Sequence, residues 1–181
     1  MIFKETKLKG AYIIEIDPIV DERGFFARSF CAKEFEKYGL NPSIAQCNIS
    51  YNETKKTLRG MHYQAAPYEE AKLVRCTRGA IYDVIIDLRQ DSATYKQWIA
   101  TELTAENHRM LYIPERFAHG FQTLEDHTEV FYQMSEFYHS GCARGIRWDD
   151  PTFGIKWPFP SSIISKRDLD YSFFDAERDE K

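Results

Sequence analysis

Ala80-Ile81-Tyr82-Asp83-Val84-Ile85-Ile86-Asp87-Leu88 places Tyr82, Val84, Ile86 and Leu88 at every second position, with Asp83 and Asp87 between them. A period of two puts alternate side chains on opposite faces of an extended chain. The stretch is therefore read as a strand whose Tyr82, Val84, Ile86 and Leu88 face joins the core. Shorter runs of the same texture lie on either side. Residues 11–16 end at Asp17-Pro18, and Asp21-Glu22-Arg23-Gly24 turns into residues 25–30. Residues 98–103, 110–113, 120–124 and 130–134 follow, separated by Thr104-Ala105-Glu106-Asn107, Pro114-Glu115-Arg116 and Leu124-Glu125-Asp126. One short helix is expected, over residues 33–38, closed by Gly39 in the left-handed conformation. Strands about ten residues apart with so little helix mean an antiparallel sandwich or barrel. Beyond Tyr138 the chain reads as loop and short helix laid over the barrel, with a frayed tail across residues 171–181 that is charged from Asp175.

At 181 residues and 43% hydrophobic composition, the chain has the size of one ordinary domain around one core. A net charge of -4 and a pI of 5.8 give a nucleic-acid backbone no footing, so any anion site must be a local cluster of cations. Cys31, Cys47, Cys76 and Cys142 are scattered, with no Cys-x-x-Cys pair and no zinc-ribbon spacing, and read as free thiols in a reducing compartment. Met1-Ile2-Phe3-Lys4-Glu5-Thr6-Lys7 lacks a signal-peptide apolar region, and no run approaches the roughly 18 apolar residues of a membrane span. The expectation is a cytoplasmic protein with neither membrane nor nucleic acid as a partner.

Chemistry concentrates in Thr57-Leu58-Arg59-Gly60-Met61-His62-Tyr63-Gln64 and Lys72-Leu73-Val74-Arg75-Cys76. These polar groups sit among apolar neighbours, where an unpartnered one costs roughly 2–7 kcal/mol and a charge costs more. As a strand, the first segment would set His62 with Leu58, Gly60 and Gln64, opposite Arg59, Met61 and Tyr63. Each residue also has a plain structural reading. His62 and His119 could be hydrogen-bonded core histidines, and Tyr132 shares the face of Val130 and Met134, so it should be buried. Arg23, Arg59 and Lys72 could be solvated charges or ordinary ion pairs, and His108, His127 and His139 lie beside turns and should be exposed. A barrel metal site wants a second histidine two residues after the first. Position 64 is Gln, so no metal is expected. Without one, a histidine and a tyrosine supply a base and an acid for stereochemistry at an acidic C–H. A lysine would steady the enolate, and arginines suit a diphosphate.

Asp21-Glu22-Arg23-Gly24-Phe25-Phe26, Gln46-Cys47-Asn48-Ile49-Ser50, the two segments above, Asp87-Leu88-Arg89, Ile113 to Phe121 and Trp148-Asp149-Asp150-Pro151 together resemble the dTDP-4-dehydrorhamnose 3,5-epimerases, over nearly the whole chain. The resemblance implies a cupin-like jelly-roll β-barrel with a few short peripheral helices, using no cofactor, and a homodimer with exchanged N-terminal strands. It casts His62 as the base that takes the C5 and C3 protons of a 4-keto-6-deoxyhexose, Asp168 as the carboxylate that orients it, Tyr132 as the acid on the opposite face and Lys72 as the partner of the enolate oxygen. Arg23 and Arg59 resemble diphosphate ligands and Phe26 a ring that stacks on the base. Gln46, Asn48, His119 and Tyr138 fall at substrate-site positions, with Tyr138 or water the donor should Tyr132 not be the acid.

Two positions depart from the family pattern. Arg28 stands where many members carry Glu near the nucleobase, and Arg116 stands where Gly is common. Thymine N3 donates a hydrogen bond and suits a carboxylate, whereas cytosine N3 accepts and suits a guanidinium. A dTDP-linked sugar is the expected substrate, with a CDP-linked one as the alternative. An epimerase acting at C3 or C5 alone, and a non-catalytic sugar-nucleotide binding module, are the other readings the residues allow.

Overall fold

The computed structural model describes residues 1–160 and 163–176. In chain order they form β1 (Ile2–Glu5), β2 (Tyr12–Glu15), β3 (Ile19–Asp21), β4 (Gly24–Phe26), α1 (Ala32–Lys37), β5 (Gln46–Asn52), β6 (Thr57–Gln64), β7 (Lys72–Arg78), β8 (Ala80–Asp87), β9 (Trp98–Thr104), β10 (Met110–Ile113), β11 (Phe117–Thr123), β12 (Thr128–Met134), β13 (Ala143–Gly145), β14 (Ile163–Ile164) and α2 (Lys166–Leu169). One sheet runs β1-β2-β10-β7-β12-β5. The other runs β13-β6-β11-β8-β9, with β14 added parallel to β6. From β5 to β12 the chain deals four strands to each sheet, and every pairing among these eight is antiparallel. This is an antiparallel two-sheet barrel, as the strand spacing implies, with the cupin-like jelly-roll form that the resemblance implies.

Facing sheets of this kind stand roughly 10 Å apart and are held by what fills the gap. Val74, Ile81, Ile85, Leu103, Leu111, Phe121 and Val130 fill it here, and the burial of each such side chain contributes roughly 1.5–3 kcal/mol. The β8 stretch goes beyond its sequence reading, in which only the Tyr82, Val84, Ile86 and Leu88 face joins the core. Both of its faces are buried: Ile81 and Ile85 point into the gap, and Val84, Ile86 and Leu88 lie on the outer face under Phe153, Ile155, Trp157 and Phe174 from the C-terminal segment. The gap side also takes Asp83 and Asp87. Each is partnered, Asp83 by His119 Nε2 at 2.7 Å and Asp87 by Arg89, Ser92 and Thr94. Burial works to raise the Asp87 carboxyl, but those donors outweigh it and hold it below the ordinary carboxylate range.

The first sheet's outer face is closed by α1, whose Phe35 packs with Ile14, Leu73, Met110 and Tyr112. Between the two runs, β3 and β4 form a hairpin that joins neither sheet. The strand expected over residues 25–30 stops at Phe26, because the ladder there has only β3 to pair with. Ile19, Val20 and Phe26 are 70%, 74% and 73% exposed, an apolar surface without cover in the single chain.

Smaller differences have local causes. The strand expected from Gly120 begins at Phe117. His139 is half-buried rather than exposed, because its ring stacks on Tyr68 at 3.5 Å. Arg116 adopts a φ of +64°, which explains why glycine suits that position. Of the tail expected to fray, residues 171–176 are docked. The Phe174 N–H donates to Asp150 and its ring meets Phe153, while residues 177–181 lie outside the described residues. All four cysteines are free, and no helix among the described residues is long and apolar enough to cross a membrane.

Candidate active site

A cavity of about 530 Å³ opens between the two sheets. His62 reaches it from β6 in one sheet, and Tyr132 and Lys72 reach it from β12 and β7 in the other. An imidazole and a phenol thus line one cavity from opposite walls.

Strict alternation would put Arg59 and His62 on opposite faces of β6, yet both line this cavity. The strand pairing gives the reason. His119 of β11 is level with His62 and Phe121 is level with Arg59, so β6 spends three residues where β11 spends two. This is a β-bulge, and its extra residue inverts the alternation. Gly60 occupies it with φ +124°. A Cβ there would lie 2.5 Å from Gly120 Cα and 2.8 Å from the His119 carbonyl oxygen, so only glycine fits. His62 and Gln64 do share a face as expected, and Gln64 is fully used: its Oε1 accepts from His139 N–H at 2.6 Å, and its Nε2 donates to the Tyr68 and Phe137 carbonyls at 2.8 and 3.1 Å.

Behind His62 stands Asp168, 3% exposed, with Oδ1 2.7 Å from Nε2. Ser165 caps the turn of α2 by accepting from the Asp168 N–H, and the Gly60 N–H donates to the other carboxylate oxygen at 3.3 Å. Burial alone would raise the Asp168 carboxyl, but the His62 hydrogen bond and charge and the Gly60 and Ser165 contacts hold it below the ordinary value. It is thus an anion at neutral pH. Tyr171 lies edge-on to the imidazole at 5.8 Å and accepts from Arg167 Nε at 2.9 Å.

Across the cavity, burial raises the Tyr132 phenol, Arg59 pulls it back and Glu70 adds to the rise, so it stays protonated well past neutrality. Lys72 Nζ sits 2.8 Å from Glu70 Oε1 and 3.4 Å from the His62 carbonyl. Arg59 Nε donates to Asn52 Oδ1 at 2.7 Å, which fixes the guanidinium at the cavity wall. A base backed by a carboxylate, an acid on the other wall and a cation between them is an arrangement for moving a proton off one face of a carbon and back onto the other.

Of the residues expected from the sequence, the fold brings His62, Tyr132, Lys72, Arg59, His119 and Tyr138 to the cavity wall, with Asp168 behind. Gln46 and Asn48 stand beside it without lining it: Gln46 Oε1 accepts from Tyr138 N–H, and Asn48 Nδ2 contacts Met134 Sδ. Three residues are not brought to this cavity. Arg23 and Phe26 ride on the β3–β4 hairpin, with Arg23 paired to Asp21, and Arg28 is exposed and bonded to Glu34 at 2.9 Å. Tyr132 is half-buried rather than buried, because its ring borders the cavity. Glu70 and Arg167 were not anticipated. Arg167 could have been found beside Asp168, while Glu70 carries no sequence signal apart from its nearness to Lys72. Among the described residues no three His, Cys, Asp or Glu side chains gather in a way that could hold a metal.

Comparison with known proteins places this geometry in context. The family model described as dTDP-4-dehydrorhamnose 3,5-epimerase matches residues 5–176. The dTDP-4-dehydrorhamnose 3,5-epimerase of Shigella flexneri is 42% identical over 175 residues, covering 96% of this chain and 96% of that protein. The crystal structure of dTDP-4-dehydrorhamnose 3,5-epimerase from Bacillus anthracis str. Ames with TDP and PPi bound superposes with a TM-score of 0.91 at 42% identity, over 95% of this chain and 98% of that one. The dTDP-6-deoxy-D-glucose-3,5-epimerase of Legionella pneumophila Philadelphia 1, in complex with dTDP-4-keto-L-rhamnose, gives 0.89 at 36% identity, over 97% and 95%.

Proposed function

The chain belongs to the dTDP-4-dehydrorhamnose 3,5-epimerase family, and from that premise we propose that it inverts C3 and C5 of dTDP-4-dehydro-6-deoxy-D-glucose to give dTDP-4-dehydro-L-rhamnose. The observation that carries this reading is the pairing of a carboxylate-backed His62 with a protonated Tyr132 on facing walls of one cavity.

The C4 ketone acidifies the hydrogens on C5 and C3, so no organic cofactor is needed. With Nε2 turned to Asp168, the nitrogen left to take a proton is Nδ1. As His62 removes the C5 proton, the C–H electron pair forms a C4–C5 double bond and charge gathers on the C4 oxygen, where Lys72 meets it. Tyr132 then delivers a proton to the other face of C5 as the enolate collapses to the ketone. Once His62 has passed its proton to solvent and Tyr132 has regained one, the same cycle runs at C3. Asp168 holds the ring and stabilises the imidazolium that each removal creates.

Arg59 and Arg167 suit the diphosphate. Arg23 and Phe26 would complete the site from a second copy of the chain, in a homodimer that covers the β3–β4 hairpin. The exposed Ile19, Val20, Phe25 and Phe26 support this. Arg28 is occupied by Glu34, so the CDP-linked alternative loses the guanidinium that motivated it. A dTDP-linked sugar fits the family, and the relative from Legionella pneumophila binds one. The chain acts as one epimerase domain, and its four free thiols suit the cytoplasm.

Incubation with the dTDP-linked 4-keto-6-deoxyglucose in deuterated solvent, read by NMR, tests the proposal. Deuterium should enter at both C5 and C3. Label at C5 alone or C3 alone would make it a single-carbon epimerase, and label at neither would leave only a sugar-nucleotide binding module.

A further inference from the structure

Arg59, Lys72, Arg144 and Arg167 line the cavity with positive charge, and among the described residues Glu70 is the only carboxylate on its wall. Its side chain is 3% exposed. In a pocket that attracts a diphosphate, a buried negative charge weakens binding of that anion. Only one oxygen is matched. Oε1 lies 2.8 Å from Lys72 Nζ, and Oε2 is buried with no hydrogen-bond partner among the described residues. Lys72 also reaches the His62 carbonyl at 3.4 Å, so its ammonium is pinned between the carboxylate and the strand that carries the imidazole.

Lysine is a compact charge on a flexible four-carbon stem, and left alone it turns toward the strongest anion within reach. In a nucleotide-sugar complex that anion is the diphosphate. The ketone oxygen carries full charge only while the enolate exists. We propose that Glu70 is a positioning residue that withholds Lys72 from the diphosphate, leaving that group to the arginines and keeping the ammonium beside the oxygen that becomes the enolate. The inference rests on the epimerase reading of the same site. Its consequence is a division of labour. Glu70 weakens ground-state binding of the nucleotide and directs one cation to charge that develops only during reaction, which favours turnover over affinity.

Glu70→Ala and the near-isosteric Glu70→Gln, compared with the wild type, test this through dTDP affinity by calorimetry and kcat with the dTDP-linked 4-keto-6-deoxyglucose. Glu70→Ala should bind dTDP about threefold tighter or more and turn over about tenfold slower or more, a split between affinity and kcat that general damage to the site would not produce. Glu70→Gln keeps an acceptor for Nζ without the charge and should fall between the two in both measurements. If the alanine variant does not fold, the glutamine variant alone must show the same two opposite shifts. Unchanged or weaker dTDP binding, or an unchanged kcat, in a folded variant overturns the inference while the epimerase reading stands. A wild-type protein that exchanges no proton overturns both.

Discussion

Replacement of Asp168 by Asn is the sharpest probe of the base. Asn has nearly the same shape, but its amide presents one acceptor and one donor where the carboxylate presents two acceptors. Asp168 uses both oxygens, accepting from His62 Nε2 at 2.7 Å and from the Gly60 N–H at 3.3 Å. If the amide oxygen faces Gly60, its NH₂ must donate to Nε2, which moves the imidazole proton to Nδ1 and blocks the nitrogen that takes the substrate proton. If the oxygen faces His62, the NH₂ opposes the Gly60 N–H. Either way the imidazolium loses its counter-charge. A charge-assisted hydrogen bond is worth about 1.5–3 kcal/mol, and the wrong tautomer adds more. Together these should cost about 3–5 kcal/mol of transition-state stabilisation, a fall of roughly 10²–10⁴ in kcat. Deuterium exchange at C5 measures this, and dTDP affinity by calorimetry should change little, since Asp168 lies behind the imidazole. The pH dependence has a fixed sign. Because folding lowers the Asp168 carboxyl, its contribution to stability is present above the ordinary value of about 3.9 and is lost as pH falls through the lowered one. The stability gap between wild type and variant, from urea unfolding, should shrink as the pH falls below about 4. A variant turning over within threefold of wild type, or a gap that does not shrink below about pH 4, would refute the dyad.

Tyr132→Phe should cut turnover about 10²-fold or more while exchange at C5 persists, because proton removal does not need the phenol; full turnover would transfer the role to Tyr138 or to water. With the phenol raised above its ordinary value of about 10 by burial, the wild-type kcat should show no fall due to Tyr132 below that pH. Gly60→Ala forces a Cβ against the backbone of His119 and Gly120 at φ +124°, and should cost roughly 3 kcal/mol, or about 6–12 °C in Tm, with exchange lost as the bulge shifts. Light scattering should give twice the 21.3 kDa chain mass, and Val20→Asp with Phe26→Asp should shift it toward the single chain.

Thr57 to Gln64 reads as a polar strand and is β6 over those same residues; the ten-residue rhythm of strands and turns reads as an antiparallel sandwich or barrel, and the jelly roll comes only from the resemblance. What escaped reading depends on contacts distant in sequence. The bulge at Gly60 exists because β11 approaches closely at Gly120, so the shared face of Arg59 and His62 cannot be deduced from β6 alone. The Tyr82, Val84, Ile86 and Leu88 face of β8 is buried as its alternation implies; what escaped is the burial of the opposite face, where Asp83 is met by His119 from β11. Arg23 and Phe26 were legible as site residues only through resemblance, since nothing in the single chain brings the hairpin to the cavity. Glu70 is a pairing of convenience in sequence and a buried partner of Lys72 in space.

The account stands on an imidazole and a phenol meeting one sugar ring from opposite sides. A crystal structure with the dTDP-linked 4-keto sugar bound measures that directly. His62 Nδ1 should lie roughly 3–3.5 Å from C5 or C3 on one face, with the Tyr132 oxygen at similar range on the other and Lys72 Nζ beside the C4 oxygen. Both side chains on one face of the ring, or His62 engaged with the nucleobase instead of the sugar, would contradict it.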